Sequence, residues 1–197
     1  MKDRFLAHLP IGERPAFPGD GMPGWEIFPY EGDIQVKVLQ EPELPEPARN
    51  GAAGPADCWG CKDPLRNAVW ADENWRVTHT GEPTALPVVV LLCPIGHYDL
   101  HNLPPRRSAE FGPMLQRVEC AIMSLGGIAR VHVNKWGDGS EHLHLWLIAR
   151  PAGLMQLRGT CLPLWDDVLP PQDENQWREV LHELGAALAV EGGTAYA

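Results

Sequence analysis

The sequence predicts an α+β fold in which an antiparallel sheet is backed by two main helices, preceded by an irregular Pro/Gly-rich arm. Three observations carry this expectation. Residues 87–93 (PVVVLLC) form a β-branched run with the composition of a central strand buried on both faces. Shorter strand candidates at 67–72, 75–79, 128–134 and 142–149 lie around it, most joined by connections too short for a parallel crossover. Two further segments, 108–125 and 175–188, repeat apolar residues at helical spacing.

A chain of 197 residues that is 44% apolar is expected to build one full-sized core. Gly and Pro number 20 each, so irregular connections should be common. They are densest in residues 1–57, read as an N-terminal extension with a linker over 41–55. Within it only 33–38 (DIQVKV) alternates as a half-buried strand would. Too few apolar residues remain for a separate core, so the arm is expected to lie over the main domain, residues 58–197.

In the main domain, strands at 67–72 and 75–79 flank a turn at Asp72-Glu73-Asn74. After the central strand, Ser108 is the predicted cap of a helix whose apolar stripe is Phe111, Leu115, Val118, Ile122 and Leu125, and Gly126-Gly127 stops it. Strands at 128–134 and 142–149 follow, joined by the turn-rich 135–139. From about 152 the chain reads as a helical extension, ending in a helix with Trp177, Leu181, Leu184 and Leu188 on one stripe.

Cys58-Trp59-Gly60-Cys61 is a C-x-x-C pair, a spacing at which two thiolates share one tetrahedral ion and also the spacing of a redox dithiol. The redox reading needs a strand before it and a helix after it. Here a Pro/Gly linker precedes and Lys62-Asp63-Pro64 follows, which favours a metal. Two imidazoles would complete a zinc site, and His97 and His142 both fall at strand ends where loops converge. The plain alternative is a solvent-facing His97 and a packed His142. With Cys58, Cys61, His97 and His142 as ligands the coordination sphere is closed, so the zinc is structural.

Residues 141–148 (EHLHLWLI) are the most informative stretch. Side chains two apart share a face of a strand, which sets His142, His144 and Trp146 on one side and Leu143, Leu145 and Leu147 in the core. The order of these parts resembles the histidine-triad superfamily, including its galactose-1-phosphate uridylyltransferase branch, over roughly 58–151. The shared parts are the C-x-x-C opening, Pro94-x-x-His97 after the central strand, a long helix, Asn134, a Gly-rich turn with Ser140, and H-L-H-L-W followed by Ile148-Ala149-Arg150-Pro151.

The resemblance implies nucleotidyl transfer or hydrolysis at an α-phosphate through a covalent nucleotidyl-histidine at His144. It also implies zinc ligation by His97 and His142, and phosphate or ribose contacts from Asn134, Gly139 and Ser140, with Trp146 against the ligand. The ligand class would be a small nucleotide or nucleotide sugar, and a homodimer is expected on the same ground. One departure stands out, because Trp146 replaces the third histidine of the motif. Indole offers a single N–H donor and no titratable proton. A catalytically degenerate module that binds a nucleotide or a partner is therefore the alternative function.

The net charge of −10 opposes DNA, RNA or anionic-membrane binding. The N-terminal stretch lacks the apolar core of a signal peptide, and no apolar run reaches membrane-helix length, so the expectation is a cytoplasmic protein with reduced thiols. Cys93, Cys120 and Cys161 then read as buried small hydrophobes. His101 and His132 read as surface imidazoles, and Trp59 and Trp136 as aromatic neighbours of the site. Arg150 and Arg158 are the nearest candidate cations for a phosphate.

Overall fold

The computed structural model describes residues 4, 7–10, 30–31, 35–36 and 45–197. Eight strands are described: β1 (Tyr30–Glu31), β2 (Gln35–Val36), β3 (Ala68–Ala71), β4 (Trp75–His79), β5 (Val89–Pro94), β6 (Ile128–Asn134), β7 (Leu145–Pro151) and β8 (Thr194–Ala195). The helices are α1 (Trp59–Lys62), α2 (Pro105–Ser124), α3 (Leu162–Val168) and α4 (Glu174–Ala189). Strands β3 to β8 form one antiparallel sheet in the order β6-β7-β5-β4-β3-β8. The α+β architecture with two long helices is the one the sequence predicts. Part of the expected strand at 33–38 is present as β2, paired with β1, and the rest lies outside the described residues.

The sheet's two faces are covered differently. Leu147 and Ala149 of β7, Val90 and Leu92 of β5, and Val77 of β4 pack against α2 and α4 in the main core. The helices contribute Met114, Val118 and Ile122 from α2, and Trp177, Leu181, Leu184 and Leu188 from α4. On the opposite face a smaller apolar cluster of Leu86, Val89, Ile148, Leu157 and Leu162 sits under α3 and the turns before it. That cluster covers only one end of the face, and the other end carries the site.

Helix α2 begins three residues before the predicted cap, with Pro105 in its first turn and Pro104 as N-cap, while Ser108 lies inside it. Proline is well placed there because the first-turn amides have no intrahelical acceptor to lose. Helix α4 is capped by Asp173, whose carboxylate accepts from the amides of Asn175 and Gln176. Strand β7 starts at Leu145 rather than at His142. The preceding residues are held by the loop after β5 instead of by a ladder: the Leu143 amide donates to the Tyr98 carbonyl at 2.6 Å. The side-chain alternation persists across the boundary, with Leu143, Leu145 and Leu147 all buried.

Two cysteine expectations are corrected. Cys120 and Cys161 are exposed, and only Cys93 is buried. Cys120 lies on α2 away from the stripe formed by Met114, Val118 and Ile122, and Cys161 closes a surface 3-10 turn. The short α3 falls within the helical extension expected from about 152, whereas α1 and β8 have no counterpart in the sequence reading.

Because Leu184 is fully buried between α4 and the sheet, Leu184→Ala is expected to cost about 2–5 kcal/mol. Chemical denaturation should show a lower midpoint with an unchanged slope.

Candidate functional site

The site lies where three loops meet at one end of the sheet. Cys58 caps and Cys61 sits within α1, a single turn of helix that brings both sulfurs to one side. His97 follows the turn after β5, and His142 precedes β7. One ligating atom from each of Cys58, Cys61, His97 and His142 falls within 4.8 Å of all the others. Cys58 Sγ lies 3.3 Å from His142 Nδ1, Cys61 Sγ 3.4 Å from His97 Nδ1, and Cys61 Sγ 3.5 Å from His142 Nδ1. The sulfur–nitrogen edge of a tetrahedral zinc site is about 3.5 Å, from zinc–ligand bonds of about 2.3 and 2.0 Å. The donor set and its spacing therefore fit zinc.

Protonation agrees with that fit. His142 Nε2 lies 2.8 Å from the Pro94 carbonyl oxygen, which can only accept. The proton thus resides on Nε2 and the Nδ1 lone pair faces the sulfurs, the arrangement in which an outer hydrogen bond orients a ligating imidazole. Burial lowers the His142 pKa, the Pro94 carbonyl opposes, and Arg76 adds to the lowering, so the neutral ring is favoured. Burial and the adjacent Cys58 push the Cys61 thiol up to about 11, with Arg76 pulling the other way. A divalent ion between the sulfurs would reverse that and hold both as thiolates.

Two glycines permit this packing. A Cβ on Gly60 would meet Arg76 Nη2 at 2.6 Å and His142 Nδ1 at 3.3 Å. Gly51 has a left-handed φ of +85°, and a Cβ there would meet His97 Cε1 at 2.9 Å.

His144 lines an open cavity of about 330 Å³ together with Gly139, Ser140, His142, Trp146, Asn50 and Arg76, among others. Its Nδ1 lies 2.8 Å from the His142 carbonyl oxygen, so Nδ1 donates and Nε2 keeps its lone pair. Trp146 stands opposite Leu91 on one side and Asn134 on the other. Asn134 borders Trp146 but does not line the cavity with His144. Trp59 forms part of the cavity rim and is 73% exposed, while Trp136 packs against Trp146 with ring centroids 5.9 Å apart.

Two features of the site have no counterpart in the sequence reading. The first is residues 49–51, which fall in the predicted linker. The Asn50 amide donates to the Gly139 carbonyl, and the Asn50 carbonyl accepts from the Glu141 amide and, at 3.3 Å, from the Ser140 hydroxyl. Arg49 pairs with Asp99 and Glu141 and donates to the Gly137 carbonyl, and Lys135 also pairs with Asp99. Burial opposes the Asp99 charge, but the Leu100 amide, Arg49 and Lys135 outweigh it and hold the carboxyl below its ordinary range. The Asn50-Gly51 dipeptide signals a turn, but nothing in it signals a partner ninety residues away.

The second is Arg76, only 4% exposed, whose Nη1 donates to the carbonyls of Gly60 and Pro64 at 2.7 Å each. Neither Arg150 nor Arg158, the cations suggested by sequence, lines the His144 cavity, and Arg76 does. Arg150 is buried and donates to the Pro151 and Leu154 carbonyls, and Arg158 is exposed. The strand alternation Trp75-Arg76-Val77 places Arg76 on the face opposite the core, which is a signal legible in retrospect. His101 is exposed, whereas His132 is half-buried on β6 and in register with Ile148 on the site side.

No family model and no curated protein matches the chain. Among solved structures, it is similar to a hypothetical histidine triad nucleotide-binding protein from Sulfolobus tokodaii, with a TM-score of 0.51 and 16% identity over 66% of this chain and 91% of that one. It is also similar to a zinc-bound histidine triad family protein from Mycobacterium smegmatis, with a TM-score of 0.48 and 22% identity over 70% of this chain and 97% of that one. The first likeness shows a shared fold: the chain has the histidine-triad architecture. Among the described residues no helix is long and apolar enough to cross a membrane.

Two outcomes are expected. Elemental analysis of protein purified without chelator should find about one zinc per chain, and Cys61→Ser should lose it. Its melting temperature should fall by roughly 10 °C, several kcal/mol at about 2–4 °C each. Secondly, burial depresses the pKa of His8, His79 and His142 in the folded chain, so their contribution to stability is complete above the unfolded value of about 6.5 and is lost as pH falls through the folded values. Thermal unfolding should show stability declining below about pH 6.5, less steeply in His79→Phe.

Proposed function

We propose that this protein is a nucleotide hydrolase or nucleotidyltransferase of histidine-triad type, similar to the zinc-bearing uridylyltransferase branch, acting at an α-phosphate through His144. The observation that supports this reading best is the hydrogen bond from His144 Nδ1 to the His142 carbonyl. It fixes the tautomer whose Nε2 lone pair is free to attack, on a side chain that lines a cavity with Ser140 and Gly139. A zinc held by Cys58, Cys61, His97 and His142 would have a purely structural part: it pins the segment that carries the accepting carbonyl.

In the first step Nε2 of His144 forms a bond to phosphorus while the bond from phosphorus to the leaving oxygen breaks, the electron pair departing with that oxygen. In the second, the oxygen of water, or of an acceptor phosphate, bonds to phosphorus, and the nitrogen–phosphorus bond returns its pair to Nε2. With water, the displaced proton passes to solvent. Ser140 and Gly139 orient the phosphate oxygens, and the guanidinium of Arg76, itself buried, contributes positive potential at the cavity. Trp146 cannot deliver a proton to the departing group. Leaving groups that need none, such as a phosphate ester, are therefore favoured over alkoxides. The substrate would be a nucleoside diphosphate derivative, nucleotide sugars included.

A second reading, favoured by Trp146 alone, is a binding module without chemistry. Incubation of wild-type and His144→Ala protein with nucleotide sugars, dinucleoside polyphosphates and nucleoside phosphoramidates separates the two. The expected result is an acid-labile nucleotidyl-protein in the wild type and turnover reduced at least about 1000-fold in the variant. Equal nucleotide affinity in both proteins, with no adduct and no turnover, would select the binding module.

A further inference from the structure

A second cavity of about 450 Å³ opens on the other side of Trp146, and nothing in the proposed reaction uses it. Its floor is Val89 and Ile148 of the sheet, its side is Trp136 and Trp146, and its roof is Pro163 and Leu164 of α3. Three carboxylates, Asp138, Asp166 and Asp167, enter this apolar, aromatic surround. Among the described residues none of the three has a cationic partner. Asp166 Oδ1 accepts from the amides of Ala85 and Leu86 at 2.8 and 2.9 Å, which fixes its carboxylate at the wall.

We propose that this cavity is a subsite for an organic cation, an ammonium or quaternary ammonium group, carried on the phosphate that is displaced from the α-phosphorus when His144 attacks. This inference rests on the function proposed above. An ion-sized metal would meet mostly hydrocarbon here, and an uncharged group would make no use of the half-buried Asp166 or of the exposed Asp138 and Asp167 beside the aromatic walls. A cation sheathed in methyl or methylene groups satisfies both parts of the lining: its charge faces the carboxylates and the indole faces, and its alkyl surface meets Val89, Ile148, Pro163 and Leu164. Burial raises the carboxyl pKa of Asp166 against the opposing Leu86 and Ala85 amides, and that of Asp167 is raised by the same cause.

Distance supports the pairing with His144. Trp146 is two residues along an extended chain from His144, about 7 Å, which is the span of a phosphate bearing a two-carbon ammonium ester. The implied substrate class is a nucleoside diphosphate esterified with an amino or quaternary ammonium alcohol. Its leaving group, a phosphate monoester, needs no proton from Trp146.

The test uses the full chain, choline chloride and its uncharged isostere 3,3-dimethylbutan-1-ol, with indole N–H chemical shifts followed by nuclear magnetic resonance at constant ionic strength. Saturable choline binding is expected, with the isostere at least roughly tenfold weaker. Trp136→Leu and the double variant Asp138→Asn/Asp167→Asn should each weaken choline by about tenfold, with unchanged melting temperatures. These positions are chosen because Asp166 supports the backbone at Ala85 and Leu86. Equal binding of the two probes, absence of saturable choline binding by the wild type, or unaltered affinity in both variants would each overturn the proposal. The nucleotidyl-protein assay is independent: choline binding without any adduct removes the proposed reaction and leaves the subsite, and an adduct without choline binding does the reverse.

Discussion

The site depends on one imidazole used at both nitrogens. His142 Nε2 donates to the Pro94 carbonyl at the end of β5, and its Nδ1 faces Cys58 and Cys61. One ring thus joins the central strand, the α1 turn and the entry to β7. Its own carbonyl accepts from His144 Nδ1, so the same residue that closes the cluster with Cys58 and Cys61 also sets the tautomer of the side chain two positions on. Buried polar groups are costly unless partnered, and here each partner is also a positioning device. Gly60 and Gly51 have the same cause, since a methyl group at either would strike the cluster or the guanidinium behind it.

The two faces of the sheet divide the labour. Helices α2 and α4 cover one face from β7 to β3 and supply most of the apolar burial. The other face is covered only at the end under α3, so the strands run from a packed cluster at Ile148 to an open cavity at His144. Trp146 stands between them and lines both cavities. Its place in the alternation sets it beside His144 on the open face, and its size makes it a partition between the two cavities.

Much of this was legible in the sequence wherever the signal is periodic. The β-branched run gave β5, the helical stripes gave α2 and α4, and the alternation of Leu143, Leu145 and Leu147 placed the histidines on the opposite side. The convergence of Cys58, Cys61, His97 and His142, a donor set able to hold a metal, is legible because C-x-x-C constrains two of them and strand ends constrain the others. What failed was whatever lacks a local period. The α2 start was displaced because Pro104-Pro105 outranks Ser108 as a boundary. Cys120 and Cys161 were placed inside on residue-type preference alone, whereas helix phase and turn position put them outside. Arg76 carries no distinctive signal, because a single charge in a short strand resembles ordinary surface alternation. Residues 49–51 carry none either, because their Pro/Gly surroundings say nothing of a partner.

The bridge between Asn50 and Ser140 spans ninety positions along the chain and links the arm's backbone to the rim of the cavity. The other walls of that cavity come from the sheet, from α1 and from the connection between β6 and β7. Long-range closures gain their contacts only after the loop entropy of bringing distant segments together has been overcome. Closing the rim of the cavity therefore costs more chain entropy than forming the neighbouring hairpins β3–β4 and β4–β5, which join adjacent stretches of chain.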